Sequence, residues 1–141
     1  MITEGSENYK ENIVSLLQAE KLPTDDLPET LDNFMVAMED NEMVGVIGLE
    51  IYENYGLLRS LAVIPAFRSQ GVAAELLKNL ENLATAKTLT AIYLLTETAP
   101  DYFARKGYQI ITRGDVPAEI KQSSEFSYTC PLSAIVMKKS F

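Results

Sequence analysis

The chain's most informative spacing lies between Leu57 and Leu77. An apolar strand and a proline turn lead into Arg68-Ser69-Gln70-Gly71-Val72-Ala73, which opens a long amphipathic stretch. A helix starting there presents unpaired backbone N–H groups and the positive end of its dipole, so an anion can be held without side-chain charge. Gly71 and Ala73 keep the surface low enough for a phosphate to approach the backbone, and Arg68 adds a cation at the rim. The same residues would equally serve an ordinary strand-to-helix turn that needs a glycine. The pattern lacks the Gly-Lys-Ser/Thr ending of a P-loop, and it is not the dinucleotide pattern G-x-G-x-x-G.

Arg59 lies inside an otherwise apolar strand, where an arginine is costly unless paired. It is either an ion-pair partner of Glu50 or another acid, or an anchor for a carboxylate or oxyanion. Cys130, the single cysteine, reads as a small packed residue more readily than as a nucleophile.

Composition removes other chemistry. The 141 residues contain no histidine and one cysteine. That excludes Cys/His zinc sites, Ser-His-Asp triads, Cys-His dyads and an internal disulfide, and the last of these suits a reducing cytoplasm. No metal site is expected. The formal net charge of −8 argues against a nucleic-acid backbone as partner. Residues 1–55 carry thirteen acidic side chains against Lys10 and Lys21, whereas residues 56–141 carry seven against ten basic ones. The acidic half is either a solvated face or a sign that any anionic ligand belongs to the second half. Residues 1–10 have neither the basic start nor the apolar segment of a signal peptide, and no apolar run is long enough to span a bilayer. A cytoplasmic chain without a membrane partner is expected.

The elements that must position these residues follow from periodicity. Tyr9, Ile13, Leu16 and Leu17 predict a helix over 7–20. Pro28 is placed to open a short second helix through Leu31. Phe34 to Met38 and Met43 to Tyr52 predict an antiparallel hairpin around the polar turn Glu39-Asp40-Asn41-Glu42. A strand from Leu57 to Ile64 is ended by Pro65. Ala73, Leu76, Leu77, Leu80, Leu83 and Ala84 form the apolar stripe of the strongest helix. Ala91 to Leu95 predicts a strand buried on both faces. A brief helix over Ala99 to Lys106, strands at Tyr108–Thr112 and Ala134–Met137, and a helical turn at Pro117–Lys121 complete one mixed α/β domain spanning residues 1–141.

With Val63 five residues before Arg68, the run V-x-x-x-x-R-x-x-G-x-A at a strand-to-helix junction resembles the acyl-CoA pyrophosphate loop of the GNAT superfamily of N-acetyltransferases. The order of elements agrees over almost the whole chain. Residues Leu58 to Val63, Tyr93 to Ala99 and Cys130 to Ala134 are similar to the branch of that superfamily associated with arsenic-resistance operons.

The resemblance implies a GNAT fold of the α/β (α+β) class, with a mixed central sheet of about six to seven strands and flanking helices. It implies acetyl-CoA as cosubstrate. The pantetheine arm would lie along Leu61, Ala62 and Val63, and the pyrophosphate on amides within Ser69, Gln70, Gly71, Val72, Ala73 and Ala74. A backbone N–H on the motif strand, taken as that of Leu61, would steady the oxyanion. Many members place an Asn three residues before the alanine of the brief helix and a Tyr four residues after it. With that alanine at Ala99, these positions hold Thr96 and Phe103, so the usual thiolate acid is missing, and Tyr102 is turned about 100° away on a helix. Glu50 is the candidate base, acting directly or through water, or else a surface glutamate of the hairpin. Arg59 would anchor an acceptor carboxylate, because the motif strand lines the family's acceptor cleft. Glu125, Phe126 and Tyr128 could close the acceptor pocket, with Tyr128 the candidate contact, or pack as plain loop or strand.

The activity expected is acetyl transfer to the amine of a small, amino-acid-like acceptor by direct attack. A CoA-binding module with little catalysis and an acetyltransferase of protein amines are the alternatives. A homodimer is compatible with the chain.

Overall fold

A computed structural model describes residues 2–4, 9–22, 24, 27–28, 31–123 and 134–141. Among the described residues seven strands form one mixed sheet in the order β1-β2-β3-β4-β5-β7-β6. They are β1 (Ile2–Glu4), β2 (Phe34–Glu39), β3 (Glu42–Tyr52), β4 (Tyr55–Val63), β5 (Ala91–Thr96), β6 (Gln109–Ile111) and β7 (Ile135–Ser140). The helices are α1 (Lys10–Ala19), α2 (Val72–Ala86), α3 (Pro100–Arg105) and α4 (Ala118–Lys121). The expected mixed α/β sheet of six to seven strands with flanking helices is the observed one.

The chain divides into two compact units, Met1–Glu50 with Arg59–Leu83 and Ile51–Leu58 with Ala84–Phe141. In the first, β1 and β2 pair antiparallel, as do β2 and β3. The turn between β2 and β3 holds Asp40 at φ 49° and Asn41 at φ 64°. Two left-handed central residues are what a two-residue hairpin turn matching strand twist requires. The helix α1 buries Ile13, Leu16 and Leu17 in a core shared with Leu31, Phe34, Val36, Met43, Val46 and Ala62. Leu76, Leu77 and Leu80 of α2 are fully buried, as their spacing predicts, each contributing about 1.5–3 kcal/mol.

Gly45 on β3 sets how closely α2 approaches. A Cβ there would stand 3.0 Å from Leu76 Cδ1 and 3.2 Å from both Val72 Cγ1 and the Ala62 carbonyl oxygen. The absence of a side chain lets the first turn of α2 sit directly on the sheet.

In the second unit, β4 pairs parallel with β5 from Tyr55↔Ala91 to Leu57↔Tyr93, and β7 pairs antiparallel with both β5 and β6. Leu57, Ala91, Tyr93, Val116, Ile120 and Val136 form its core.

Several boundaries depart from expectation. The strand β1 was not anticipated, since three residues carry no usable alternation. Pairing with β5 starts β4 at Tyr55 rather than Leu57, and pairing with β5 carries β7 on to Ser140 through Lys138 and Lys139. Glu29 and Thr30, at the centre of the expected second helix, lie outside the described residues.

Candidate active site

The loop expected to hold an anion is built as a sequence of locked turns. β4 ends at Val63, and Pro65–Phe67 form a 3-10 turn with Pro65 at its start. The Phe67 N–H donates to the Ile64 carbonyl (3.0 Å) and the Arg68 N–H to that of Pro65 (3.3 Å). Ser69 and Gly71 both adopt left-handed backbone, at φ 65° and 83°. α2 then begins at Val72, and its first bond runs from the Glu75 N–H to the Gly71 carbonyl. The amides of Val72, Ala73 and Ala74 precede that first donor and so have no intrahelical acceptor.

Ser69, Gln70 and Gly71 are exposed. A Cβ built on Gly71 would meet nothing within 4 Å. Its glycine is therefore required by backbone conformation, not by protein packing, and the space above it is open to a ligand. Alternating left-handed residues ahead of a helix N-terminus make an amide-lined concavity suited to anions. Open space, left-handed turns and amides without an intrahelical acceptor together fit a pyrophosphate.

Arg68 is more engaged than a rim cation would be. Its Nε donates to the Val63 carbonyl (3.0 Å), and its Nη2 donates to Glu20 Oε1. Glu20 caps the C-terminus of α1. Gln70 Nε2 donates to the Ala66 carbonyl across the turn.

The second feature lies on β3 and β4. Arg59 is 3% exposed, and its Nη1 donates to Glu50 Oε2 at 2.6 Å. Its Nε donates to Ser60 Oγ at 3.1 Å. Ser60 has φ 60° in the interior of a strand. A non-glycine residue held left-handed costs about 1–3 kcal/mol, and such strain gathers at functional sites. Ser60 stands between Arg59 and the half-buried Leu61, after which Ala62 and Val63 are buried. Of the two open readings of Arg59, the ion pair with Glu50 is the one present.

Thr96 and Phe103 belong to the second unit. Thr96 Oγ1 accepts the Ala99 N–H at 3.1 Å and fixes the entry to α3. Phe103 is buried, with Tyr102 and Tyr108 edge-on to its ring at 5.4 and 5.7 Å. The Tyr102 hydroxyl is buried with no hydrogen-bond partner among the described residues. Burial pushes its pKa up, and Arg105 offsets part of that rise. Tyr128, Glu125, Phe126 and Cys130 lie outside the described residues. Among the described residues no group of His, Cys, Asp and Glu is arranged to hold a metal ion. No helix among them is long and apolar enough to cross a membrane.

Ser60, Glu20 and Gly45 were not singled out from sequence. Serine does not advertise a left-handed backbone, and Glu20 meets a residue 48 positions away. Gly45 did carry a signal, since a glycine inside an apolar strand marks close approach.

The model of the acetyltransferase (GNAT) family matches residues 7–109. The chain belongs to that family. An uncharacterized N-acetyltransferase of Chlorobaculum tepidum is 26% identical over 101 residues, covering 71% of this chain and 64% of the relative. Solved structures agree in fold. N-acetylglutamate synthase from Neisseria gonorrhoeae, complexed with coenzyme A and N-acetyl-glutamate, superposes with a TM-score of 0.84 at 16% identity. The match covers 99% of this chain and 34% of that one. A Mycobacterium tuberculosis protein solved with CoA gives 0.81 at 23% identity, covering 100% and 99%. A GNAT-family acetyltransferase from Staphylococcus aureus gives 0.78 at 24%, covering 99% and 98%. The chain thus spans a third of the synthase and 64% of the Chlorobaculum relative.

Proposed function

We propose that this GNAT chain, its two units acting as one domain, transfers acetyl from acetyl-CoA to the amine of a small, amino-acid-like acceptor. The observation that carries the cofactor reading is the loop Arg68–Ala74, where left-handed Ser69 and Gly71 and open space precede the α2 amides without an intrahelical acceptor. Ser69, Gln70, Gly71, Val72, Ala73 and Ala74 would hold the pyrophosphate through their backbone. Leu61, Ala62 and Val63 would hold the pantetheine arm, because β4 runs on to Val63 past its last pairing with β5 at Leu57. When bound, acetyl-CoA supplies an activated acetyl group.

The chain's own residues then have three tasks. The Leu61 N–H, next to the left-handed Ser60, would donate to the acyl oxygen as it gains charge. Glu50 takes a proton from the acceptor's ammonium, directly or through water, since only the free amine attacks. Arg59 binds the acceptor's carboxylate. The Glu50–Arg59 pair supports an amino-acid-like acceptor in particular, because a half-buried carboxylate beside a buried guanidinium complements an ammonium and a carboxylate on one molecule. Thr96 and Phe103 serve by fixing α3. Positioning supplies much of the rate in such a design; no side-chain acid is assigned, so as the C–S bond breaks CoA would leave as the thiolate or take its proton from water.

Membership of the arsenic-resistance branch rests on residues 58–63, 93–99 and 130–134, and a cytoplasmic location on the single cysteine. The burial of Phe103 where a thiolate acid would be useful favours a second reading, a CoA-binding module with little catalysis.

An acetyl-transfer assay over amino acids, polyamines and peptides, read by released thiol, separates the readings. Saturable turnover of an α-amino acid is expected. Tight CoA binding without thiol release selects the binding module, and turnover confined to peptides selects a protein acetyltransferase.

A further inference from the structure

The Arg68 side chain links three elements. The hydrogen bonds of Phe67, of the Arg68 amide and of Gln70 join the turn only to itself. The Arg68 guanidinium instead reaches the end of β4 through the Val63 carbonyl and the end of α1 through Glu20. Its exposure is uneven: the Arg68 side chain is 56% exposed and that of Glu20 only 15%. A carboxylate so largely covered depends on its cationic partner. The Nε–Nη2 edge, which would grip a phosphate in a forked pair, is occupied by a carbonyl and a carboxylate.

Resting on the cofactor reading above, we propose that Glu20 and Arg68 form a clamp that positions the pyrophosphate loop. Glu20 holds the guanidinium, and the guanidinium holds the turn against the end of β4. Arg68 acts on the cofactor through the loop and not by touching its phosphates. The clamp matters because Ser69 and Gly71 adopt backbone conformations that a free chain seldom visits, so the direction in which the amides point depends on what ties the turn down.

Opposite outcomes separate this role from direct phosphate contact. If Glu20 competes with phosphate for Arg68, neutralising it tightens CoA binding; if it positions Arg68, neutralising it weakens binding. The test is a double-mutant cycle on the full chain with Glu20→Gln, Arg68→Met and both, titrated calorimetrically with CoA. Each single variant is expected to weaken CoA by roughly fivefold, and the double to bind no more weakly than Arg68→Met alone. CoA binding by Glu20→Gln as tight as wild type or tighter overturns the proposal, as does a double variant losing the product of the two factors. Urea midpoints without CoA accompany the titrations. A lowered midpoint with an unchanged dissociation constant makes the contact purely structural and also overturns it. A wild-type chain that fails to bind CoA overturns the cofactor reading, and the clamp with it, before any variant is compared.

Discussion

The loop at Arg68–Ala74 and the pair Glu50–Arg59 are opposite solutions to holding charge. The loop is exposed over Arg68–Gly71 and half-buried over 72–74, and it works through backbone: its left-handed residues and helix amides are in place whatever most of its side chains are. The pair sets a buried guanidinium against a half-buried carboxylate and works entirely through side chains, with a 2.6 Å contact that has meaning only because both members are present. A backbone anion site carries little desolvation cost when empty, because its amides face solvent. A buried guanidinium has no such freedom, since it must be matched at all times. A change to the loop should therefore fall mainly on the ligand with a small cost in stability, whereas any change to the pair touches stability as much as function.

The largest expected effect comes from breaking the loop. Gly71→Asp places a carboxylate where the amides face open space and forces a residue with a side chain to φ 83°. CoA affinity should fall by about 100-fold or more by titration calorimetry, with a stability loss of only about 1–2 kcal/mol. Retained affinity would remove the loop as the cofactor site.

Next comes the pair. Arg59→Met leaves Glu50 without the partner 2.6 Å away and should cost about 3 kcal/mol by urea denaturation. The double variant with Glu50→Leu should recover most of that loss, because it leaves no buried charge behind. In the acetyl-transfer assay Arg59→Lys, which keeps the charge, should raise KM for carboxylated amines about tenfold and leave that for uncharged amines unchanged. If both classes of acceptor shift equally, Arg59 holds the strand and not the substrate.

The same contrast explains what could be read from the chain alone. The loop was legible because backbone function constrains residue types over a short span: a proline to end the strand, a glycine at a left-handed position and small residues in the first helical turn. Most of the fold was legible for a related reason, since α2 and β5 declare themselves by apolar spacing. The pair was legible only as alternatives. Glu50 and Arg59 lie on successive strands nine residues apart, and which side chains meet across that turn is set by a register the two residues do not themselves declare. The clamp was not legible at all, because nothing local to Glu20 points to Arg68. The strand β1 was lost for want of length, being specified by its register with β2 and not by its own residues.

The smallest effect tests whether pairing, and not burial alone, sets the value of a side-chain group. The Tyr102 hydroxyl is buried but unpartnered among the described residues, with Lys106 Nζ over its ring at 5.6 Å. Removing a paired group strands its partner; removing an unpaired hydroxyl strands nothing. Tyr102→Phe should therefore leave stability at pH 7 within about 0.5 kcal/mol of wild type, in contrast to Arg59→Met. Alkaline pH adds a sign. Burial raises the Tyr102 pKa above its ordinary value, so the folded chain keeps a proton that the unfolded chain releases. Wild-type stability is unaffected well below about pH 10 and falls as pH rises from there through the folded-state pKa. Tyr93, raised by burial and then by Tyr55, contributes in the same direction and remains in the variant. Urea midpoints at pH 7 and near pH 10.5 should thus show the variant losing less stability than wild type over that interval. A variant already weaker at pH 7 would mean that the hydroxyl has a partner, and that Tyr102 behaves like Arg59 and not as its opposite.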